Sequence, residues 1–207
     1  DYMHRAEAMG VTSCLGKEAT AESILEMKPD LVICATGGHA LVPGKLPGVT
    51  NENVCTAPEI ILGQKKSKGG NAVVIGSGMT GLEVSEFLCR QGCKVTVIEM
   101  APEIAPGTWF QLVDDEMERL EPHGVVFRPG TKLVEIKPDG VVVEDVKSGK
   151  QEFLPAEDVV LSMGVRPDQQ LKSELEGKVP VYLVGDAVKS GTIANAVHSA
   201  YDTVISI

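Results

Sequence analysis

The sequence predicts an α/β fold. A parallel sheet, followed by an antiparallel β-meander, forms one domain inserted between two pieces of a second. Three observations carry this expectation. Short Val- and Ile-rich runs alternate with stretches of helical period, as in βαβ units. Three short strand patterns separated by turn residues interrupt that alternation over residues 131–154. Two further strand patterns, at 31–35 and 181–184, flank the whole and each run into a glycine-bearing turn.

Tyr2 to Met9 is helix-like, and the chain enters this stretch directly from Asp1. A piece of a longer polypeptide is the expectation from that opening. Residues 11–15 read as a short strand and 20–27 as a helix. Pro29-Asp30 starts the strand Leu31 to Ala35, which ends in Thr36-Gly37-Gly38. Pro43, Gly44, Pro47 and Gly48 mark a long turn, and residues 57–63 look helical. The basic run Lys65-Lys66-Ser67-Lys68 reads as a solvated linker into the apolar strand Asn71 to Ile75. A helix begins after Gly78, carries Val84, Phe87 and Leu88 on one face, and stops at Gly92. The strand Lys94 to Ile98 follows and ends in Glu99. Trp109, Leu112, Val113, Met117 and Leu120 recur at helical spacing, which predicts a helix over 109–121 with Trp109 packed in the core. A strand at 124–128 precedes the meander strands 131–137, 140–146 and 151–154, whose turns are Pro138-Asp139-Gly140 and Lys147 to Lys150. Residues 157–163 return as a buried strand ending at Gly164. Beyond 167–178 the last strand, Val181 to Val184, runs into Gly185-Asp186-Ala187, and 191–207 is a helix with Ile193, Ala196, Val197, Ala200 and Val204 as its apolar positions. The inserted domain is therefore expected over 66–167, flanked by 1–65 and 168–207.

With 207 residues and 43% hydrophobic content, the chain can build one sizeable core or two small ones. Its net charge of −10 disfavours nucleic acid and anionic membranes as partners. No apolar stretch approaches the ~20 residues of a membrane-spanning helix. The five cysteines (14, 34, 55, 89 and 93) form no CxxC pair, and Cys89 with Cys93 suits neither a zinc site nor a redox dithiol. All five are expected to be reduced, mostly buried, in a cytoplasmic protein. The four histidines (4, 39, 123 and 198) show no ligand spacing, so no metal is expected, and His123 fits a helix-capping role after Pro122.

Gly76-Ser77-Gly78-Met79-Thr80-Gly81 carries the chemistry. It joins a strand to a helix, and Glu99 ends the next strand about 20 residues further on, the spacing of a dinucleotide-binding βαβ unit. Gly76 permits the tight turn, Gly78 lets the backbone approach a pyrophosphate, and Gly81 lets the helix pack closely on the strand. The helix N-terminus offers free N–H groups and a positive dipole end to the phosphates. Glu99 lies where a carboxylate accepts from the adenosine ribose, and Met100-Ala101-Pro102 contains no Arg or Lys to meet a 2′-phosphate. NADH is therefore expected in preference to NADPH.

Four motifs in order resemble the pyridine nucleotide–disulfide oxidoreductase superfamily. Ala35 to Gly38 resembles the segment joining the FAD domain to the NAD domain, and Gly76 to Gly81 with Leu82-Glu83 resembles the NAD glycine motif. Met163 to Pro167 resembles the returning crossover, and Val184 to Ala187 resembles the motif whose Asp binds the FAD ribityl chain. The stretches Val97 to Ile104 and Gly185 to Lys189 are most similar to the C-terminal part of old-yellow-enzyme-type NADH:flavin oxidoreductases, such as enoate and 2,4-dienoyl-CoA reductases. The resemblance implies a Rossmann-like NAD-binding domain inserted in a partial FAD-binding three-layer domain. Motif and resemblance together assign Gly76, Ser77, Gly78, Met79, Gly81, Glu99, Met100 and Gly164 to NAD. Thr36, Gly37, Gly185, Asp186 and Ile193 are assigned to FAD in the intact protein.

The resemblance also implies a preceding unit with its own glycine turn, and an N-terminal part carrying FMN and an iron–sulfur cluster. The rest of the polypeptide is then the first partner. Without it, the edges of strands 31–35 and 181–184 would stand open and invite pairing with another copy of the chain. Hydride transfer belongs to the cofactors and needs few side-chain acids or bases. Glu83, in the first turns of the helix, is the one catalytic candidate; its alternative role is a carboxylate favoured by the helix N-terminus. The alternative role of Asp186 is an N-cap. Two functions remain open: an NADH-binding portion of an FAD-dependent oxidoreductase, and a module that holds ADP without turnover. A plain single-Rossmann dehydrogenase fits poorly with the inserted position of the domain and with Gly185-Asp186.

Overall fold

A computed structural model describes residues 2–207. Along the chain it places α1 (Tyr2–Ala8), α2 (Ala21–Glu26), β1 (Val32–Cys34), β2 (Gly38–Ala40), β3 (Val54–Thr56), α3 (Ala57–Ile61) and β4 (Asn71–Ile75). Then come α4 (Met79–Arg90), β5 (Lys94–Glu99), α5 (Phe110–Leu120), β6 (Val126–Pro129), β7 (Thr131–Lys137), β8 (Gly140–Asp145) and β9 (Gln151–Pro155). The chain closes with β10 (Asp158–Leu161), β11 (Val165–Pro167), α6 (Gln170–Leu175), β12 (Val181–Leu183) and α7 (Ile193–Ser206). These elements form two compact units, Gly38–Arg166 and the segments on either side of it.

The Gly38–Arg166 unit is three-layered. Its five-stranded sheet has the order β3-β10-β4-β5-β6, with every neighbour parallel. The central strands are buried on both faces, so they read as nearly unbroken Val/Ile runs. On one face Ile60 of α3 and Val84 and Leu88 of α4 pack against Val74, Val97 and Val160. On the other, Leu133, Ile136, Val141 and Val143 of the antiparallel meander β7-β8-β9 cover Val73, Ile75, Ile98 and Val159. Helix α4 stops at Gly92 (φ +86°), whose amide donates to the Cys89 carbonyl while the Cys93 amide donates to that of Leu88. This pair of hydrogen bonds is the Schellman closure, and Cys93 and Leu88 share the core beneath it.

In the flanking unit, β1 and β12 form a parallel pair with Val32 opposite Val181. Helix α7 starts at a reciprocal cap in which the Asn195 amide donates to Thr192 Oγ1 and the Thr192 amide to Asn195 Oδ1. None of its residues is buried within the described structure. No helix among the described residues is long and apolar enough to cross a membrane.

Four expectations are corrected. The first unit boundary falls at Gly37/Gly38, not after residue 65, because β3 pairs with β10 and Ala57 and Ile60 sit in the sheet's core. Residues 11–15 form no strand: Val11 and Leu15 are exposed, and Gly10 and Gly16 bend the chain with positive φ on either side. Trp109 is 75% exposed. It is the N-cap of α5, outside the helical stripe, and the buried positions of that helix are Glu116 and Leu120. The basic run is anchored rather than freely solvated. Lys65 Nζ donates to the Val54 carbonyl, and Asp158 accepts from Ser67 Oγ at 2.6 Å and from the Lys68 amide at 2.8 Å.

All five cysteines are free thiols; Cys14 is exposed and the others are buried. Burial raises the pKa of Cys34 and Cys89 and pushes Cys55 up to about 12. Thiolate is the reactive form, so iodoacetamide at neutral pH is expected to alkylate Cys14 rapidly and the buried thiols only after denaturation. Peptide mapping by mass spectrometry checks this, and rapid native labelling of Cys55 would contradict the packing.

Candidate functional site

The chain leaves β4 for β5 on one side and returns through β10 on the other. The sheet's switch point therefore lies at the C-terminal end of β4, where open α/β sheets bind ligands. The glycine turn sits there. Gly76 has φ +101°, and a Cβ on it would stand 2.3 Å from the Ser162 carbonyl oxygen. A Cβ on Gly81 would stand 2.1 Å from the Gly76 carbonyl oxygen. Both glycines are thus required by the fold itself. Gly78 is different. Its φ of −58° suits any residue, and a Cβ there would meet no atom within 4 Å. The amides of Met79 and Thr80, in the first turn of α4, find no acceptor among the described residues. Two donors and a positive dipole end are therefore presented beside a backbone with no side chain in the way.

A cleft of about 510 Å³ opens at this point, a size typical of small-molecule sites. Of the residues assigned to NAD, Gly76, Gly78, Glu99, Met100 and Gly164 line it. Ile75, Ile98 and Leu133 give it an apolar wall. Ser77, Met79 and Gly81 are not on its surface; Ser77 and Gly81 are buried beneath it. Glu83 is exposed on α4 and is not among the lining residues.

The Glu99 carboxylate is already held. Its Oε2 accepts from the Ser77 amide at 3.0 Å and from Ser77 Oγ at 2.9 Å, and its Oε1 accepts from the Ala101 amide at 2.9 Å. The Gly76 amide donates to the Ile98 carbonyl, tying the turn to the end of β5. Sequence reasoning missed Thr131 and Lys132, which the meander brings to the same cleft. The register of β7 shifts between Leu133 and Glu135, and such irregularities re-aim side chains near binding sites. Lys132 lies 3.7 Å from Glu144 Oε1 across the strand pair. Residues 100–102 hold no Arg or Lys, so Lys132 brings to the cleft a cation that the stretch after Glu99 does not supply.

A second cleft, about 460 Å³, lies in the flanking unit and is lined by Gly37, Gly185, Asp186 and Ile193. Thr36 does not line it; its Oγ1 donates to the Asp168 carbonyl at 2.7 Å. Asp186 Oδ1 accepts from the Gly191 amide at 3.2 Å, so it pins the loop before α7 and does not cap that helix, a role Thr192 fills. Among the described residues no cluster of three or more His, Cys, Asp or Glu could hold a metal ion.

Comparison with known proteins places these two sites in context. The model of a family described as pyridine nucleotide-disulphide oxidoreductase matches residues 8–200. The chain is 37% identical over 207 residues to an NADH oxidase of Thermoanaerobacter brockii, covering 96% of this chain and 31% of that protein. It is 36% identical over 189 residues to a bilirubin reductase of Mediterraneibacter gnavus, covering 90% of this chain and 29% of that one. Among solved structures, a 2-naphthoyl-CoA reductase complexed with 2-naphthoyl-CoA superposes with a TM-score of 0.89 at 27% identity, over 100% of this chain and 31% of that chain. The chain thus spans about a third of the length of these relatives.

Proposed function

This chain belongs to the pyridine nucleotide-disulphide oxidoreductase family, and on that premise we propose that its Gly38–Arg166 unit binds NADH. The whole protein would pass hydride from NADH to FAD and on to another centre. The observation that carries the reading is Gly78, a glycine that neither its φ nor its packing requires and that lies on the cleft at the sheet's switch point. NADH supplies the hydride and FAD accepts it. The chain's own residues bind and orient. The Met79 and Thr80 amides donate to the pyrophosphate, Gly78 lets it approach, Glu99 accepts from a ribose hydroxyl, and Ile98, Leu133 and Met100 border the adenosine end. In the flanking unit, Asp186 would accept from the ribityl hydroxyls while Gly37, Gly185 and Ile193 border the flavin.

Calorimetry with the two nucleotides tests the reading. NADH is expected to bind about tenfold more tightly than NADPH, because the Glu99 carboxylate repels a 2′-phosphate and Lys132 is partly neutralised by Glu144. Glu99→Arg should narrow or reverse that preference. Tighter binding of NADPH by the unaltered chain would contradict the assignment of Glu99. The sequence holds a single glycine turn of this kind, in the other unit from the Asp186 cleft. The chain alone is therefore expected to purify without flavin absorbance, and a yellow preparation with stoichiometric FAD would contradict the shared flavin site.

The exposure of Glu83 outside the cleft favours a second reading, in which the unit holds ADP without turnover. Equal affinities for ADP and NADH, with no nicotinamide contribution, would support it.

A further inference from the structure

Ser77 is 0% exposed, yet it is polar and sits between the two glycines of the turn. Its hydroxyl makes two hydrogen bonds, donating to Glu99 Oε2 at 2.9 Å and accepting from the Ala105 amide at 2.9 Å. The glycine turn is thus joined through one oxygen to the end of β5 and to the loop that follows it, 22 and 28 residues further along the chain. The loop residue it holds is itself unusual. Ala105 is buried and has φ +50°, a left-handed conformation that disfavours residues with a Cβ. Such conformations persist only where the surroundings over-determine them.

A carboxylate offers about four acceptor positions. On Glu99 three are taken, by the Ser77 amide, the Ser77 hydroxyl and the Ala101 amide. One is left, on Oε1, and Glu99 lines the cleft while Ser77 does not. We propose that Ser77 is a positioning residue of the nucleotide site: its hydroxyl fixes the Glu99 carboxylate so that a single acceptor position is offered to one ribose hydroxyl, and its side chain does not touch the nucleotide. The inference rests on the nucleotide reading above and adds the device that sets its ribose selectivity. A freely rotating glutamate would accept from either hydroxyl in turn and discriminate less.

The test compares ADP with 2′-deoxy-ADP and 3′-deoxy-ADP by calorimetry. The unaltered chain is expected to bind one of the two deoxy nucleotides about tenfold more weakly than ADP. In Ser77→Ala that ratio should fall at least about threefold. A merely structural serine would shift all three affinities together and leave the ratio unchanged, which would overturn the proposal. Ser77→Cys keeps an atom at the γ position but donates weakly, so its ratio should lie between the two; it carries the test if Ser77→Ala does not fold. In a Glu99→Ala background the ratio should be near one, and Ser77→Ala should then change it no further. A second loss there would show that Ser77 acts on the nucleotide directly and overturn the proposal. Absence of any ADP binding by the unaltered chain would overturn the nucleotide reading itself. ADP binding without ribose discrimination would overturn only the role given to Ser77 and Glu99.

Discussion

Gly78→Val is expected to lower NADH affinity by about a hundredfold or more, ~2.7 kcal/mol, while the thermal midpoint stays within a few degrees of the unaltered chain. The two halves of that expectation come from one set of facts. The backbone at Gly78 has φ −58° and ψ 170°, which valine adopts readily, and its Cβ would meet nothing within 4 Å. The added side chain therefore costs the fold little. It projects instead into the approach to the Met79 and Thr80 amides, where the pyrophosphate must come within hydrogen-bond distance of the backbone. Calorimetry gives the affinity and a melting curve gives the fold. Normal NADH binding by Gly78→Val would mean that the phosphates do not pass this residue.

Gly81→Ala is expected to act the other way round, on the fold first. A single methyl at this position would stand 2.1 Å from the Gly76 carbonyl oxygen and 3.4 Å from Ser162 Oγ. The nearer contact is backbone, so no side-chain rotation relieves it. Helix α4 must back away from the turn, loosening Leu82, Val84 and Leu88, all of which are fully buried. A loss of about 2–4 kcal/mol is expected, in the range of overpacked cores and above the usual surface effect. Urea titration measures it. An unchanged midpoint would show that α4 does not rest on Gly76 as closely as described.

The pair of variants separates what was legible in the sequence from what was not. The strand–glycine–helix–strand stretch from Asn71 to Glu99 could be read residue by residue, because its determinants are local: a buried apolar run, three glycines at fixed spacing, and Gly92 at the helix end. The motif gives Gly76 and Gly81 a role in the turn and its packing and Gly78 a role toward the ligand; the Cβ contacts show that the fold needs the first two and leaves Gly78 unconstrained. The three-residue strands β2, β3 and β11 were not legible, since each exists only through its partner: β3 through β10, and β2 through β11. Missing β3 put the first domain boundary too late. Trp109 was misplaced because a helical repeat says nothing about where the helix starts, and capping the helix turns this residue out of the stripe. At the site, Lys132 reaches Glu99's cleft through the packing of the meander, and the Ser77 hydroxyl meets Glu99 and Ala105 only in the folded turn. Neither convergence leaves a trace in local spacing.

The central claim is that NADH lies across the glycine turn of the Gly38–Arg166 unit, and amide NMR of the isotopically labelled chain tests it most directly. On titration with NADH, the largest shift changes are expected at the amides of Gly78, Met79 and Thr80, with smaller ones at Met100, Lys132 and Gly164 on the rim of the same cleft. Residues of the meander's far strand, Gln151–Pro155, should stay unmoved. Saturating NADH that leaves Gly78 to Thr80 unshifted, or that moves amides elsewhere in the chain instead, would contradict the account.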